Sequence, residues 1–268
     1  MLNEGKILTI KLSQRVQNIK PSPTLAITAR AAALRAEGKD VIGLGAGEPD
    51  FDTPEHIKQA AIEALHSGKT KYTPVDGTAD LKDAIIKKFS RDNGLEYAAN
   101  QVLVSVGGKQ SFFNLAQAFI EAGDEVIIPA PYWVSYPDMT LLADGVPVII
   151  KAGQENQFKI TPEQLEAAIT DKTKLFVINS PSNPTGMAYS LKELEALGEV
   201  LRKHPNIFIA TDDMYEHIYW ADEPFCNILN ACPDLHDRTL VMNGVSKAYS
   251  MTGWRIGYAA GPAPLIAA

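Results

Sequence analysis

The sequence predicts an α/β fold, a mainly parallel sheet flanked by helices. Short apolar segments alternate along the chain with amphipathic helical segments, which is typical of this class. The apolar segments show no polar alternation, as expected for parallel strands covered on both faces. The composition of the 268 residues, 46% apolar and 21% charged, is that of a globular protein and excludes a disordered or low-complexity chain.

Seven strands follow from these apolar segments. The list of predicted strands is residues 101–106, 125–129, 146–150, 174–179, 207–212, 239–244 and 255–260. Ligands bind such sheets outside the carboxyl ends of the strands. The residues that directly follow each strand are therefore the candidates for chemistry.

Helix start and stop signals lie between most of these strands. Thr53-Pro54 predicts an N-cap and first helical residue, Gly68 predicts the stop, and the inner face carries Ile57, Ala61, Ala64 and Leu65. A second helix is predicted from Thr78 to just before Gly94. Further helices are predicted to begin near Lys109, at Thr161-Pro162 and at Ser190, where Glu193 completes a capping box.

Charge and cysteine content narrow the class of protein. The net charge of −7 argues against a general nucleic-acid binder, which would carry a basic face. No apolar run approaches the roughly 20 residues that span a bilayer, and the first 20 residues lack the features of a signal peptide. Cys226 and Cys232 fit neither a redox pair nor a zinc site. We expect a cytoplasmic protein with no metal, membrane or nucleic-acid partner.

The first candidate site follows strand 101–106. Gly107 and Gly108 allow close backbone approach, and the start of the next helix favours an anion such as phosphate. The segment is no Walker A loop, because Leu103 stands where the first glycine belongs and Gln110 follows the lysine. A plain strand-to-helix turn is the alternative.

Other strand ends carry an aromatic, an amide and a carboxylate. Trp133 follows strand 125–129 and could stack on a flat ligand, although such a residue is more often part of the core. Asn183 lies in a turn stiffened by two prolines after strand 174–179. Asp212 ends strand 207–212, with Tyr215 close behind; as a half-buried carboxylate it should need a cationic partner.

The last strand end carries a lysine and an arginine. Lys247 follows strand 239–244, where a lowered pKa would suit a Schiff-base lysine, and Arg255 could clamp a phosphate. Any single one of these residues could be structural or solvent-facing. Together they predict a site for a flat, phosphorylated aldehyde cofactor, pyridoxal 5′-phosphate, bound through a Schiff base with an acidic partner for the ring nitrogen.

The same segments resemble a known family. They are KPSPT (20–24), GAGEPDFDTP (45–54), KTKYTPVDG (69–77), VGGKQSFFN (106–114), PYWVSYPDM (131–139), NSPSNPTG (179–186), TDDMYEHI (211–218) and NGVSKAYSMTGWRIGY (243–258). In this order they resemble the class I aminotransferases of the fold-type I pyridoxal-phosphate enzymes, closest to the prokaryotic aspartate aminotransferase subgroup. The resemblance implies the large domain of that fold.

The resemblance also implies roles for the cofactor-site residues. Lys247 matches the Schiff-base lysine that later moves the Cα proton, and Asp212 matches the partner of the pyridine nitrogen. Tyr215 and Asn183 match residues that bind the phenolate oxygen, and Trp133 matches the stacking residue. The phosphate would be held by Gly108, Lys109, Arg255 and Ser246, and by Tyr72 of a neighbouring subunit, which implies a homodimer with shared active sites.

Substrate positions are implied in the same way. Gly47 matches a residue beside the substrate α-carboxylate, and Trp133 and Asn183 adjoin the substrate as well. Lys109, Ser22 and Thr24 match positions that contact the distal carboxylate of acidic substrates. A cation there favours aspartate or glutamate, although Lys109 could instead only support the phosphate. The implied reaction is a ping-pong transfer of the amino group of L-aspartate, or another acidic amino acid, to 2-oxoglutarate.

Two domains are predicted, an N-terminal arm with a small-domain segment over residues 1–46 and the cofactor-binding large domain over 47–268. We expect the family's C-terminal small domain, with the arginine that binds the α-carboxylate, to be missing from these residues, and the chain alone to be poorly active.

Three other functions compete with this one. Lyase or decarboxylase chemistry on the same scaffold is one alternative, because a fold does not fix a reaction. An inactive cofactor-binding remnant is another. A dinucleotide-binding enzyme is excluded, because Glu48 stands at the last glycine position after Gly43, Gly45 and Gly47.

Overall fold

A computed structural model describes residues 10–45 and 47–268 of the chain. The predicted N-terminal arm therefore lies partly outside the described residues. None of the described helices is both long enough and apolar enough to cross a membrane.

Seven strands form one sheet, as predicted. They are β1 (Val102–Ser105), β2 (Glu125–Ala130), β3 (Val146–Lys151), β4 (Thr173–Asn179), β5 (Phe208–Asp212), β6 (Thr239–Gly244) and β7 (Gly257–Ala260). Their order is β1-β7-β6-β5-β4-β2-β3, and β7 alone runs antiparallel to its two neighbours. No long crossover helix separates β6 from β7, so β7 returns beside β6 in the opposite direction.

Ten α-helices connect and cover these strands in the described chain. They are α1 (Gln14–Gln17), α2 (Pro23–Ala36), α3 (Glu55–His66), α4 (Ala79–Lys88), α5 (Gly108–Phe119), α6 (Ser135–Leu142), α7 (Pro162–Ala168), α8 (Leu191–Lys203), α9 (Ile228–Ala231) and α10 (Ala263–Ala267). A π-helical turn, Phe89–Asn93, continues α4 as far as Gly94, which has a positive φ of 64°.

Most of the predicted helix starts are confirmed, and one is wrong. The side chains of Thr78, Thr161 and Ser190 cap α4, α7 and α8. Thr53 does not cap α3: its hydroxyl donates instead to the Ser250 carbonyl at 2.6 Å, and Pro54 occupies the N-cap position. The inward placement of Leu65 is also wrong, because its side chain is 63% exposed.

The sheet is covered on both faces from α4 onward. Along β4, Leu175 and Val177 pack into one buried cluster with α5 and α6, whereas Phe176 and Ile178 pack into the other with α8. This alternation between two cores explains why the middle residues of β4 are all apolar. In contrast, α2 and α3 contain no buried residue.

Candidate active site

The strand ends meet at a cavity of about 210 Å³. Of the residues predicted from the sequence, it is lined by Gly108, Lys109, Trp133, Asn183, Asp212, Tyr215, Ser246, Lys247 and Arg255. They come from the ends of β1, β2, β4, β5 and β6 and from the segment before β7. The sheet therefore brings residues that are far apart in sequence to one place, at its carboxyl edge.

Asp212 is the last residue of β5 and is held by two donors. The Tyr136 hydroxyl donates to Asp212 Oδ2 at 2.5 Å, and the Met214 backbone N–H donates to Oδ1 at 3.2 Å. Burial raises the pKa of Asp212, and the two hydrogen bonds oppose that rise. Asp212 forms no ion pair with a lysine, arginine or histidine among the described residues, and its pairing with a cationic ring nitrogen, implied by the resemblance, stays a prediction.

Lys247 lines the cavity three residues after the end of β6. Its ammonium donates to the carbonyl of Gly47 and lies 5.9 Å from the centre of the Tyr215 ring. Burial lowers the pKa of Lys247; the carboxylate of Glu48 raises it, and the guanidinium of Arg255 lowers it. A lowered pKa makes more of the neutral, nucleophilic amine available near neutral pH.

Gly108 and Arg255 line one part of the cavity, and Gly107 and Gly257 pack closely against them. Gly107 has a φ of 81°, and a Cβ there would lie 2.2 Å from Arg255 Nη2. A Cβ on Gly257 would lie 2.3 Å from the Gly107 carbonyl carbon and 2.4 Å from the Gly108 nitrogen. Because α5 begins at Gly108, its free N–H groups and the Arg255 guanidinium lie at one end of the cavity. This is the chemistry of an anion site.

The side chain of Asn179 connects Asn183 to Asp212. Asn179, at the end of β4, accepts from the Asn183 backbone N–H at 2.7 Å and donates to the Asp212 carbonyl at 2.9 Å. Burial and the charge of Asp212 raise the pKa of Tyr215, while a hydrogen bond with the Asn183 side chain lowers it. These contacts fix the positions of Asn183, Asp212 and Tyr215 relative to one another.

The wall of the cavity is aromatic. The Trp133 ring meets the edge of Tyr136 at 5.2 Å and 89°. Lys109 Nζ lies 5.2 Å from the centre of the Trp133 ring. The arrangement presents a flat apolar surface with a cation beside it.

Four further predicted residues are distributed differently. Gly47 contacts Lys247 through its carbonyl. Ser22 caps α2 by accepting from the Leu25 N–H at 3.4 Å, and Thr24 lies in the first turn of the same helix. Tyr72 is fully exposed. Neither Ser22, Thr24 nor Tyr72 is among the residues lining the cavity in the described chain.

Four lining residues were not predicted from the sequence as site residues: Tyr136, Asn179, Met214 and Thr252. Asn179 carried a usable signal, because it ends β4 as Asp212 ends β5. Tyr136 lies three residues after Trp133. Nothing in this segment distinguishes a tyrosine that contacts the site from one that only packs in the core.

Comparison with known proteins agrees with this geometry. The family model for aminotransferase class I and II matches residues 39–268. The chain belongs to this family. It is 69% identical over 259 residues to the aspartate/prephenate aminotransferase of Nitrosomonas europaea. The alignment covers 97% of this chain and 65% of that relative, so the chain spans about two thirds of the relative's length.

Solved structures of relatives have the same fold. The aspartate aminotransferase from Rhizobium meliloti superposes with a TM-score of 0.93 at 52% identity, over 97% of this chain and 65% of that one. The Thermus thermophilus aspartate aminotransferase with maleate superposes with a TM-score of 0.92 at 47% identity, over 97% and 66% of the two chains. The fold expected from the resemblance, the large domain of these aminotransferases, is confirmed.

Proposed function

We propose that this chain carries the cofactor site of a pyridoxal-phosphate-dependent aminotransferase that moves the amino group of L-aspartate to 2-oxoglutarate. One observation carries the proposal. A carboxylate (Asp212), a lysine of lowered pKa (Lys247) and an arginine beside a helix start (Arg255) line a single cavity. Family membership supports the same reaction class.

The residues present fit pyridoxal phosphate. Gly107, Gly108 and Gly257 pack so closely that a Cβ on any of them would collide with a neighbour, and this packing sets the start of α5 beside Arg255, as a phosphate site would require. Asp212 would face the ring nitrogen and Trp133 the ring face. The Tyr215 hydroxyl and the Asn183 amide would bind the phenolic oxygen.

The cofactor, when bound, would supply an electron sink for a carbanion at the substrate Cα. Asp212 would hold a proton at the ring nitrogen, because an ionised carboxylate stabilises the protonated ring. Lys247 Nζ would bind the cofactor covalently and, once released, remove and return the Cα proton. Trp133 would exclude water from one face of the ring.

The proposal of an acidic substrate depends on Lys109. Its ammonium lies beside Trp133 at the rim of the cavity and could pair with a distal carboxylate. The Thermus relative is described with maleate, a dicarboxylate, and this supports a dicarboxylate substrate here. Contacts of Ser22, Thr24 and Gly47 with substrate belong to the same proposal.

Prephenate is a second candidate for the amino-group acceptor. The name of the Nitrosomonas relative, aspartate/prephenate aminotransferase, favours it. Prephenate also carries two carboxylates, so Lys109 could serve either acceptor. Supplying each oxoacid in turn after L-aspartate distinguishes them.

A homodimer with shared active sites is part of the proposal. Tyr72, fully exposed, is free to reach a neighbouring subunit. One chain has a mass of 29.1 kDa, and sedimentation velocity of the 268-residue chain should give twice that mass. The cytoplasmic location expected from the sequence stays a prediction.

The first experiment is an absorbance titration of the 268-residue chain with pyridoxal phosphate. We expect a visible band, and borohydride treatment followed by peptide mass mapping should place the cofactor on Lys247. Lys247→Ala should abolish both signals, whereas Lys192→Ala, which alters an exposed lysine on α8, should change neither. Labelling spread over surface lysines would contradict the proposed site.

The second arm adds L-aspartate to the loaded chain. Loss of the visible band with formation of oxaloacetate supports transamination, whereas formation of a decarboxylated amino acid or of a deaminated alkene product indicates the lyase or decarboxylase alternative. A band that persists unchanged supports the expectation that this chain alone is poorly active.

A further inference from the structure

Tyr136 is the most completely enclosed polar side chain beside the cavity. It is 2% exposed, and its ring meets Phe112 at 5.0 Å and Trp133 at 5.2 Å, both edge to face. Its backbone carbonyl accepts from the Thr140 hydroxyl at 2.9 Å within α6. Packing on both sides of the ring therefore leaves the hydroxyl one direction, toward Asp212.

The hydrogen bond to Asp212 completes the coordination of that carboxylate. Tyr136 donates to Oδ2 and the Met214 N–H donates to Oδ1, so each oxygen has its own donor. A phenol that donates to a carboxylate stabilises the ionised form and fixes the plane of the group. Burial alone would do the opposite and favour the neutral acid.

We propose that Tyr136 is a positioning residue that keeps Asp212 ionised and oriented for the cofactor's ring nitrogen, and that it links this carboxylate to the stacking residue Trp133. The role toward the ring nitrogen rests on the proposed function. The effect of the Tyr136 phenol on the ionisation of Asp212 does not, because both residues are present in the chain without cofactor. A protonated Asp212 would be unable to hold the ring nitrogen in its charged form.

Other charged and titratable groups also face Asp212. Those lining the same cavity are Lys109 on α5, Tyr215, Lys247 and Arg255, and Asp213 adjoins in sequence. Burial and the neighbouring Asp212 charge both raise the pKa of the Tyr136 phenol, so the shared proton stays on the tyrosine. A test must therefore change the phenol alone.

The test is a carbon-13 NMR titration of the aspartate carboxyls in the cofactor-free 268-residue chain, with Asp212→Asn used to assign the signal. Tyr136→Phe keeps the ring packing and removes the donor. We expect the Asp212 midpoint to rise by about one pKa unit, or tenfold in the ionisation constant. The matched control is Tyr189→Phe, which removes another buried phenol that accepts from the Ile160 N–H at 2.9 Å. It should leave the Asp212 midpoint unchanged.

A second variant keeps the proposal testable if Tyr136→Phe does not fold. Incorporation of 3-fluorotyrosine at position 136 retains the hydroxyl and makes it a stronger donor, so the Asp212 midpoint should fall. An Asp212 midpoint that moves in neither folded variant would overturn the proposal and leave Tyr136 a packing residue.

Cofactor loading separates this inference from the proposed function. In the loaded chain, Tyr136→Phe should shift the pH midpoint of the visible band, whereas Tyr189→Phe should not. If pyridoxal phosphate fails to bind the unaltered chain, the proposed function fails, yet the carboxyl titration still decides whether Tyr136 controls Asp212. If Tyr136→Phe raises the Asp212 midpoint as expected but leaves the pH midpoint of the visible band unchanged, the proposed link between Tyr136 and the ring nitrogen is overturned.

Discussion

Lys88 and Glu216 form an ion pair inside the protein, at 8% and 6% exposure. Asn93 accepts from Lys88 Nζ at 2.7 Å and donates to Glu216 Oε2 at 2.8 Å. Asn243, at the end of β6, donates to Glu216 Oε1 at 3.0 Å. The pair therefore ties α4 to the segment that carries Tyr215 and to the strand that leads to Lys247.

Removing one partner of this pair should be far worse than removing both. Lys88→Met would leave the Glu216 carboxylate buried without its cation, at a cost of about 3–5 kcal/mol in the free energy of unfolding. The double variant Lys88→Met/Glu216→Leu removes both charges and should recover most of that loss. Urea unfolding at neutral pH measures each value. Additive losses in the double variant would show that the two charges do not act as a pair.

Gly257 should be required for the anion end of the cavity. A Cβ at this position would collide with the backbone of Gly107 and Gly108, which cannot give way as a flexible side chain can. Gly257→Ala should weaken pyridoxal-phosphate binding at least tenfold, about 1.4 kcal/mol. The matched control is Gly253→Ala, because a Cβ there meets nothing within 4 Å. Equal affinity of the two variants for the cofactor would contradict the close approach.

The strands and the principal site residues could be predicted because their signals are local. Apolar runs such as β4 are recognisable in the sequence, and a polar residue at the end of such a run or shortly after it, such as Asp212 or Lys247, lies at the sheet edge. Lys88 and Glu216 gave no such signal. A lysine near the end of a helix usually faces solvent, and only the tertiary fold brings the distant carboxylate to it.

Corrections to the sequence-based predictions have the same cause. Thr53 precedes a helix and is of a typical capping type, but the Ser250 carbonyl, remote in sequence, competes for its hydroxyl. The phenol of Tyr136, which donates to Asp212, also comes from a distant segment, and no local pattern indicates this contact. Local preference could not choose between two partners when one of them comes from a distant segment.

Asp213 should make the stability of the chain depend on pH. Burial raises the pKa of Asp213 to about 7, against the hydrogen bonds from Thr211 and Asn227, both 2.7 Å long, that lower it. The folded state then binds this proton more tightly than the unfolded state. The contribution of Asp213 to the free energy of unfolding is fully present below the pKa of the unfolded state, near 4. It is lost as the pH rises to about 7, and the total loss is about 4 kcal/mol.

Asp213→Asn tests this dependence, because an amide retains an acceptor oxygen but does not ionise. The difference in unfolding free energy between the variant and the unaltered chain should grow in the variant's favour between pH 4 and pH 7. Denaturant titrations at several pH values measure it. Parallel stability profiles for the two proteins would contradict the raised pKa of Asp213.

Lys247 should react as a neutral amine at lower pH than a surface lysine, and two neighbours should move its midpoint in opposite directions. Burial lowers the pKa of Lys247, Glu48 raises it and Arg255 lowers it. Glu48→Gln, which retains an acceptor oxygen for the Thr252 hydroxyl, should therefore lower the pH midpoint for trinitrophenylation of Lys247 in the cofactor-free chain. Arg255→Met should raise it.

The size of the Glu48 effect follows from its surroundings. Glu48 is exposed, so solvent and salt screen its charge and the midpoint should move by only a few tenths of a pH unit. Raising the salt concentration should shrink the shift further, since screening acts on an exposed charge and leaves the burial of Lys247 untouched. Glu223→Gln, another exposed carboxylate, serves as the control and should leave the midpoint in place. A Lys247 midpoint at that of a surface lysine, unmoved by Glu48→Gln or Arg255→Met, would show that the cavity does not activate this amine.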